Sequence, residues 1–117
     1  MTTQLTVESR REEPNLAVLS LMGEVDVANV PQVREEALRL LAAGVKGLVV
    51  DLGGVEYMDS SGLGMLVGLQ KRMREADGKL ALASPRPRVE RLLDITGLAR
   101  IFAVYEDVEG ALKEVAG

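Results

Sequence analysis

The chain contains no cysteine and no histidine. Without them, neither a Ser-His-Asp nor a Cys-His nucleophile can be assembled. The common zinc ligands are missing too, so no metal site is expected. No disulfide can form, and nothing ties the protein to an oxidising compartment. Aromatic residues make up only 3% of the sequence, so the core has to be aliphatic. Positive charge is in the minority: 14 Lys and Arg against 18 Asp and Glu leave a net charge of −4. That balance disfavours nonspecific binding to nucleic acid. No apolar run approaches the roughly 20 residues of a membrane span. The opening MTTQLTVESRREE lacks the basic start and apolar segment of a secretory signal. A cytoplasmic protein with no membrane or nucleic-acid partner is the expectation.

What is present is an ordinary globular balance, 47% apolar and 27% charged over 117 residues. It suits one domain spanning 1–117, with no linker, repeat or low-complexity segment. Leu5, Val7 and Ser9 alternate with Thr6 and Glu8, the pattern of a strand with one buried face. Residues 10–14 read as a charged turn ending at Pro14-Asn15. Residues 16–22 are apolar almost throughout, which predicts a strand covered on both faces and paired with the first as a hairpin.

Asn29, Pro31 and Gln32 then mark a helix start, with Asn29 as cap, Gln32 at the capping-box position and Pro31 in the first turn. Val30, Val33, Ala37, Leu38 and Leu41 follow helical spacing, and Gly44 is the stop. Residues 48–52 form a buried strand that Gly53-Gly54 is expected to break, with Asp51 in a structural role. Ser60-Ser61 opens a long helix to about Ala76, carrying Leu63, Met65, Leu66, Val67, Leu69 and Met73. Gly62, Gly64 and Gly68 weaken it by about 1 kcal/mol each relative to alanine. A strand at 80–83, a helix with Val89, Leu92 and Leu93 inward and Gly97 at its close, a strand at 102–105 and a helix from Val108 to Val115 complete the chain. The order β-β-α-β-α-β-α-β-α predicts an α/β fold: a mixed, mainly parallel sheet of about five strands with an N-terminal hairpin and about four helices.

Functional loops in such sheets lie beyond the carboxyl ends of the strands. Two qualify: Gly23-Glu24-Val25-Asp26, and residues 56–61. The second leads into Met58-Asp59-Ser60-Ser61-Gly62-Leu63-Gly64. Its plainest reading is a helix cap, since Asp and Ser favour that position. Its functional reading is a phosphate site, because a helix N-terminus presents unpaired N–H groups and partial positive charge. Phosphorylation of a serine there adds roughly −1.5 to −2 of charge. No Gly-Lys-Ser/Thr follows, which excludes a Walker loop, and Ser60 lacks the G-x-S-x-G frame of a nucleophile elbow. A receiver domain is excluded as well, because Arg10-Arg11 stand where its acidic pair would follow the first strand.

These segments, together with residues 48–52 and 92–98, resemble the STAS-domain anti-sigma factor antagonists of bacteria over essentially the whole chain. The resemblance implies that Ser60 is the serine phosphorylated by a partner kinase. Glu24, Asp26, Asp59, Ser61, Gly62, Leu63 and Gly64 then belong to the partner-binding surface. It implies as partners an anti-sigma factor that is an ATP-binding serine kinase with a histidine-kinase-like fold, and a serine phosphatase that resets the switch. The unphosphorylated antagonist binds the anti-sigma factor and frees the sigma factor; the phosphorylated one lets go. Such a protein is a substrate and binder rather than an enzyme, needs no cofactor, and is expected to be a monomer when free. The same fold also serves stress-signalling scaffolds, regulators of lipid transporters and nucleotide-binding STAS domains, which stand as alternatives.

Overall fold

The computed structural model describes residues 4–116. Nine elements follow the expected order: β1 (Leu5–Glu13), β2 (Leu16–Val25), α1 (Val30–Ala42), β3 (Gly47–Met58), α2 (Ser60–Glu75), β4 (Lys79–Ala83), α3 (Pro87–Ile95), β5 (Ala103–Tyr105) and α4 (Val108–Ala116). A short 3-10 turn, Leu98–Arg100, links α3 to β5. The strands stand side by side in chain order; β1 and β2 are antiparallel and the remaining pairs parallel.

Because the parallel strands advance in one direction, right-handed crossovers place every connecting helix on the same face. Residues of α1, α2 and α3 accordingly share one core with Ala17, Leu19 and Leu21 of β2, Leu48, Val50 and Leu52 of β3, and Leu80 and Leu82 of β4. The alternate residues Leu16, Val18, Val49, Ala81 and Ala83 meet Ala111 and Val115 of α4 on the opposite face. This explains why β2 reads as apolar at consecutive positions: both of its faces are covered.

In β1, β3, α1 and α2, four sequence expectations change. The charged stretch after Ser9 is not a turn, since β1 runs to Glu13 and only Pro14-Asn15 turn. As an edge strand, β1 can hold charged side chains in solvent, and Arg10 pairs with Glu12 two residues on, at 2.7 Å. Gly53-Gly54 does not break β3 either. The register to β2 slips there, from Ser20 opposite Asp51 to Met22 opposite Gly54, and the strand continues. A side chain at Gly54 would lie 2.5 Å from Met22 Cγ, so the glycine is what lets the two strands stay together across the bulge. In α1 the fourth buried residue is Leu40; Leu38 and Leu41 are only partly covered. In α2, Val67 faces solvent.

Candidate functional site

Each strand extension moves the site closer to a single ridge. Gly23, Glu24 and Val25, read as loop residues in the sequence, are the last residues of β2, and residues 56–58 are the last of β3. The two segments are neighbours, with Glu24 opposite Tyr57 and Val25 opposite Met58. Only Asp59 separates β3 from α2. Its backbone N–H donates to the Val25 carbonyl at 3.1 Å, joining the ends of both strands.

Asp59 is extended (φ −92°, ψ −175°), as a helix cap requires. Its Oδ1 accepts from the N–H groups of Ser61 at 2.9 Å and Gly62 at 3.1 Å. The cap is therefore Asp59, not a serine. Ser60 becomes the first helical residue and is exposed. Ser61 is partly buried and linked to Asp59 through its backbone.

Gly62 is buried against the ends of both strands. A Cβ there would stand 2.4 Å from Met58 Cγ and 3.0 Å from Val25 Cγ1. The missing side chain brings the start of α2 down onto β2 and β3 and fixes the height of Ser60. Leu63 is 8% exposed and belongs to the core, as do Met58 and Met65. Gly64 faces open space. Of the residues expected at a partner surface, Gly62 and Leu63 are thus buried, and Gly64 is exposed one helical turn on from the exposed Ser60.

The first loop is built differently. Gly23 takes φ +118°, and a Cβ there would meet the Gln4 carbonyl oxygen at 2.3 Å; only glycine fits this approach of β1. Asn29 has no side-chain capping bond to α1. Its amide instead reaches back: Nδ2 donates to the Glu24 carbonyl at 2.8 Å, and Oδ1 accepts from the Asp26 N–H at 2.9 Å. The Asp26 carboxylate accepts from the N–H groups of Ala28 and Asn29 at 2.9 and 3.2 Å. Asp26 therefore shapes the turn into α1, with its backbone at the ridge beside Glu24.

Arg86 Nε donates to the Gly53 carbonyl at 2.9 Å, fastening the start of α3 to β3. Arg88, Arg91, Lys71, Arg72 and Arg74 are exposed, as a solvated face would be. Asp51 fills its expected structural role: Oδ1 accepts from the Gly53 N–H at 2.9 Å at the bulge. Among the described residues no helix is long and apolar enough to cross a membrane.

Sequence reasoning left out Val27 and gave Tyr57, within residues 56–61, no role of its own; they stand at this ridge 72% and 42% exposed. An apolar residue beside a loop carries no sequence signal of exposure; the register places Met58 inward and leaves its neighbour Tyr57 outside, and Val27 is exposed in the turn that follows β2.

The family defined by the STAS domain matches residues 9–111. The anti-sigma-B factor antagonist of Bacillus subtilis is 36% identical over 109 residues, 93% of this chain and 98% of that protein. The anti-sigma-B factor antagonist of Staphylococcus epidermidis is 39% identical over 87 residues, 74% of this chain and 81% of its own. Among solved structures, an anti-sigma factor antagonist from Mycobacterium paratuberculosis superposes with a TM-score of 0.83 at 25% identity, covering 99% of this chain and 96% of that one.

Proposed function

The chain belongs to the STAS domain family, and from that premise we propose that it is an anti-sigma factor antagonist whose binding is switched off by phosphorylation of Ser60. In the unphosphorylated form it holds an anti-sigma factor and so releases a sigma factor in the cytoplasm. The anti-sigma factor is itself an ATP-dependent serine kinase, and a serine phosphatase reverses the modification. Two relatives named anti-sigma-B factor antagonist support the first part of this reading.

The observation that carries the switch is the geometry of Asp59 and Ser60. Asp59 already accepts from the N–H groups of Ser61 and Gly62. A phosphate on the exposed Ser60 is therefore left on the surface rather than drawn into the helix end. It adds roughly −1.5 to −2 of charge to a ridge that already holds Glu24, Asp26, Glu56 and Asp59. Docking of an apolar partner surface over Ser60 is lost, because the phosphate would have to give up its water there, and no refolding of the domain is needed.

In the transfer itself, the Ser60 oxygen forms a bond to the γ-phosphorus of ATP, the bond to ADP breaks, and the hydroxyl proton leaves to a base. On this reading the base belongs to the kinase, which also holds the ATP, and the protein is substrate rather than catalyst.

Incubation with the anti-sigma factor kinase and ATP is expected to add a single phosphate, about 80 Da, on Ser60. Ser60→Ala is expected to accept none and still bind. Phosphorylation of Ser60→Ala to the wild-type extent, read by intact mass and peptide mapping, would overturn the assignment.

A further inference from the structure

Five large apolar side chains among the described residues are more than a third exposed: Val27, Tyr57, Val67, Ile95 and Ile101. They fall into two groups. Val67, Ile95 and Ile101 lie away from the strand ends, and the Ile101 carbonyl accepts from Gln70 Nε2 in the second half of α2. Val27 and Tyr57 flank the ridge that carries Ser60.

Both ridge residues sit on fixed backbone. Val27 lies inside the turn that Asp26 and Asn29 close with the bonds described above. Tyr57 is in register with Glu24 on β2. Its neighbour Met58 is 1% exposed in the core shared with α1 and α2, so strand alternation sends Tyr57 to the opposite face. There it lies outside the cluster that α4 covers. One exposed apolar side chain thus stands at the end of each strand, each beside an acid: Val27 follows Asp26 in the chain, and Tyr57 has Glu24 opposite it and Glu56 before it.

Apolar anchors that are rigid before binding, set in a charged rim, are where interface energy concentrates, and tyrosine is among the residues most enriched there. We propose that Val27 and Tyr57 are the two anchors on which the anti-sigma factor kinase seats, with Glu24 and Glu56 as a rim facing its lysine or arginine side chains. This rests on the kinase-substrate reading above. It commits the partner to two apolar recesses, one for the residue beyond the end of β2 and one for the residue at the end of β3, bordered by positive charge.

The test uses the full chain and the purified anti-sigma factor kinase with ADP, for binding, or ATP, for turnover. Tyr57→Ala and Val27→Ser, each first shown by circular dichroism and melting to remain folded, are expected to weaken binding by about tenfold or more. In the kinase assay the loss is expected in KM, with kcat for Ser60 near wild type. Ile95→Ser, in the other exposed group, is expected to bind like wild type. Glu24→Gln with Glu56→Gln is expected to slow association and flatten its dependence on salt. Folded Tyr57→Ala and Val27→Ser variants that bind within about twofold of wild type overturn the proposal while leaving the function intact. A loss at Ile95→Ser equal to that at Tyr57→Ala moves the seat to the other apolar group and overturns it too. A wild-type chain that neither binds the kinase nor is phosphorylated by it removes the parent reading, and this proposal with it.

Discussion

Two junctions in this molecule perform the same local task with different results. After β2 and again after β3, the chain leaves a parallel strand and enters a helix, and in both places an aspartate accepts backbone N–H groups at the bend. After β2, Asp26 opens a turn of several residues, so that α1 begins at Val30. After β3, Asp59 is the whole connection, and α2 begins at once with Ser60. Three residues beyond each aspartate, the first junction has Asn29, whose amide hooks back to Glu24. The second has Gly62, whose lack of a side chain lets the helix lie on Met58 and Val25. The residue after the cap is the buried Val30 in the first junction and the exposed Ser60 in the second. With no serine or threonine in residues 26–30, only the second junction presents a hydroxyl at a helix start.

The sharpest way to break this comparison is at the third position. Gly62→Val forces a side chain into the space of Met58 Cγ and Val25 Cγ1. It is expected to destabilise the fold by about 1–3 kcal/mol, the usual range for overpacking. It should also lower the yield of phosphorylated Ser60 by displacing the helix start. Asn29→Ala removes two hydrogen bonds without a clash, at a turn that water can reach; at the low end of about 0.5–1.5 kcal/mol per bond it is expected to lose less, about 1 kcal/mol in all. Chemical denaturation of both variants checks the order. If Asn29→Ala proves the more damaging, close packing is not what distinguishes the second junction.

Next in size are the caps. Asp59→Ala is expected to lower stability by about 0.5–2 kcal/mol, the range for loss of an N-cap. Asp59→Asn, which keeps an oxygen acceptor, should recover most of that. The pair separates two roles. If Asp59 also contributes charge to kinase recognition, Asp59→Asn will melt near wild type yet be phosphorylated more slowly. Equal phosphorylation rates would confine Asp59 to capping.

Much of this architecture was legible in the sequence because periodicity reports what a covered face requires. All nine strands and helices were anticipated in order, and Ser60 was placed at the start of α2. What stayed hidden depended on partners distant in the chain. Gly53-Gly54 resembles a breaker until Met22 is known to pass beside Gly54. Residues 10–13 resemble a turn until β1 is known to be an edge strand. Asn29 resembles a cap, and its amide does bond at the right place, but backward to β2 rather than forward into α1. Asp26 and Glu24 were read as one loop; the bulged register separates them into a turn residue and a strand residue. In the site, chemistry was readable because it lies in consecutive residues, whereas the exposure of Tyr57 arises from the pairing of two strands and that of Val27 from the turn that Asp26 and Asn29 close.

The smallest expected effect asks whether the two helices differ in how they are tied to the sheet as well as in how they start. α1 carries a polar tie: Glu36 accepts from Ser9 Oγ of β1 at 2.5 Å and from Arg39 at 2.5 and 2.9 Å. The hydrogen bond from Arg39 and then that from Ser9 hold the Glu36 carboxyl down at about 2, against an ordinary value of 4.5. A carboxyl that is more acidic in the folded state stabilises the fold once ionised. Its contribution is fully present above about pH 4.5 and is lost as pH falls toward 2. The pair is at the surface, where such contacts contribute about 0.2–1 kcal/mol. Glu36→Gln is therefore expected to melt slightly below wild type at pH 7 and to converge with it near pH 2. A gap that persists undiminished at pH 2 would mean that Glu36 stabilises α1 by packing or hydrogen bonding rather than by charge. α1 would then be held to the sheet, as α2 is, by uncharged contacts.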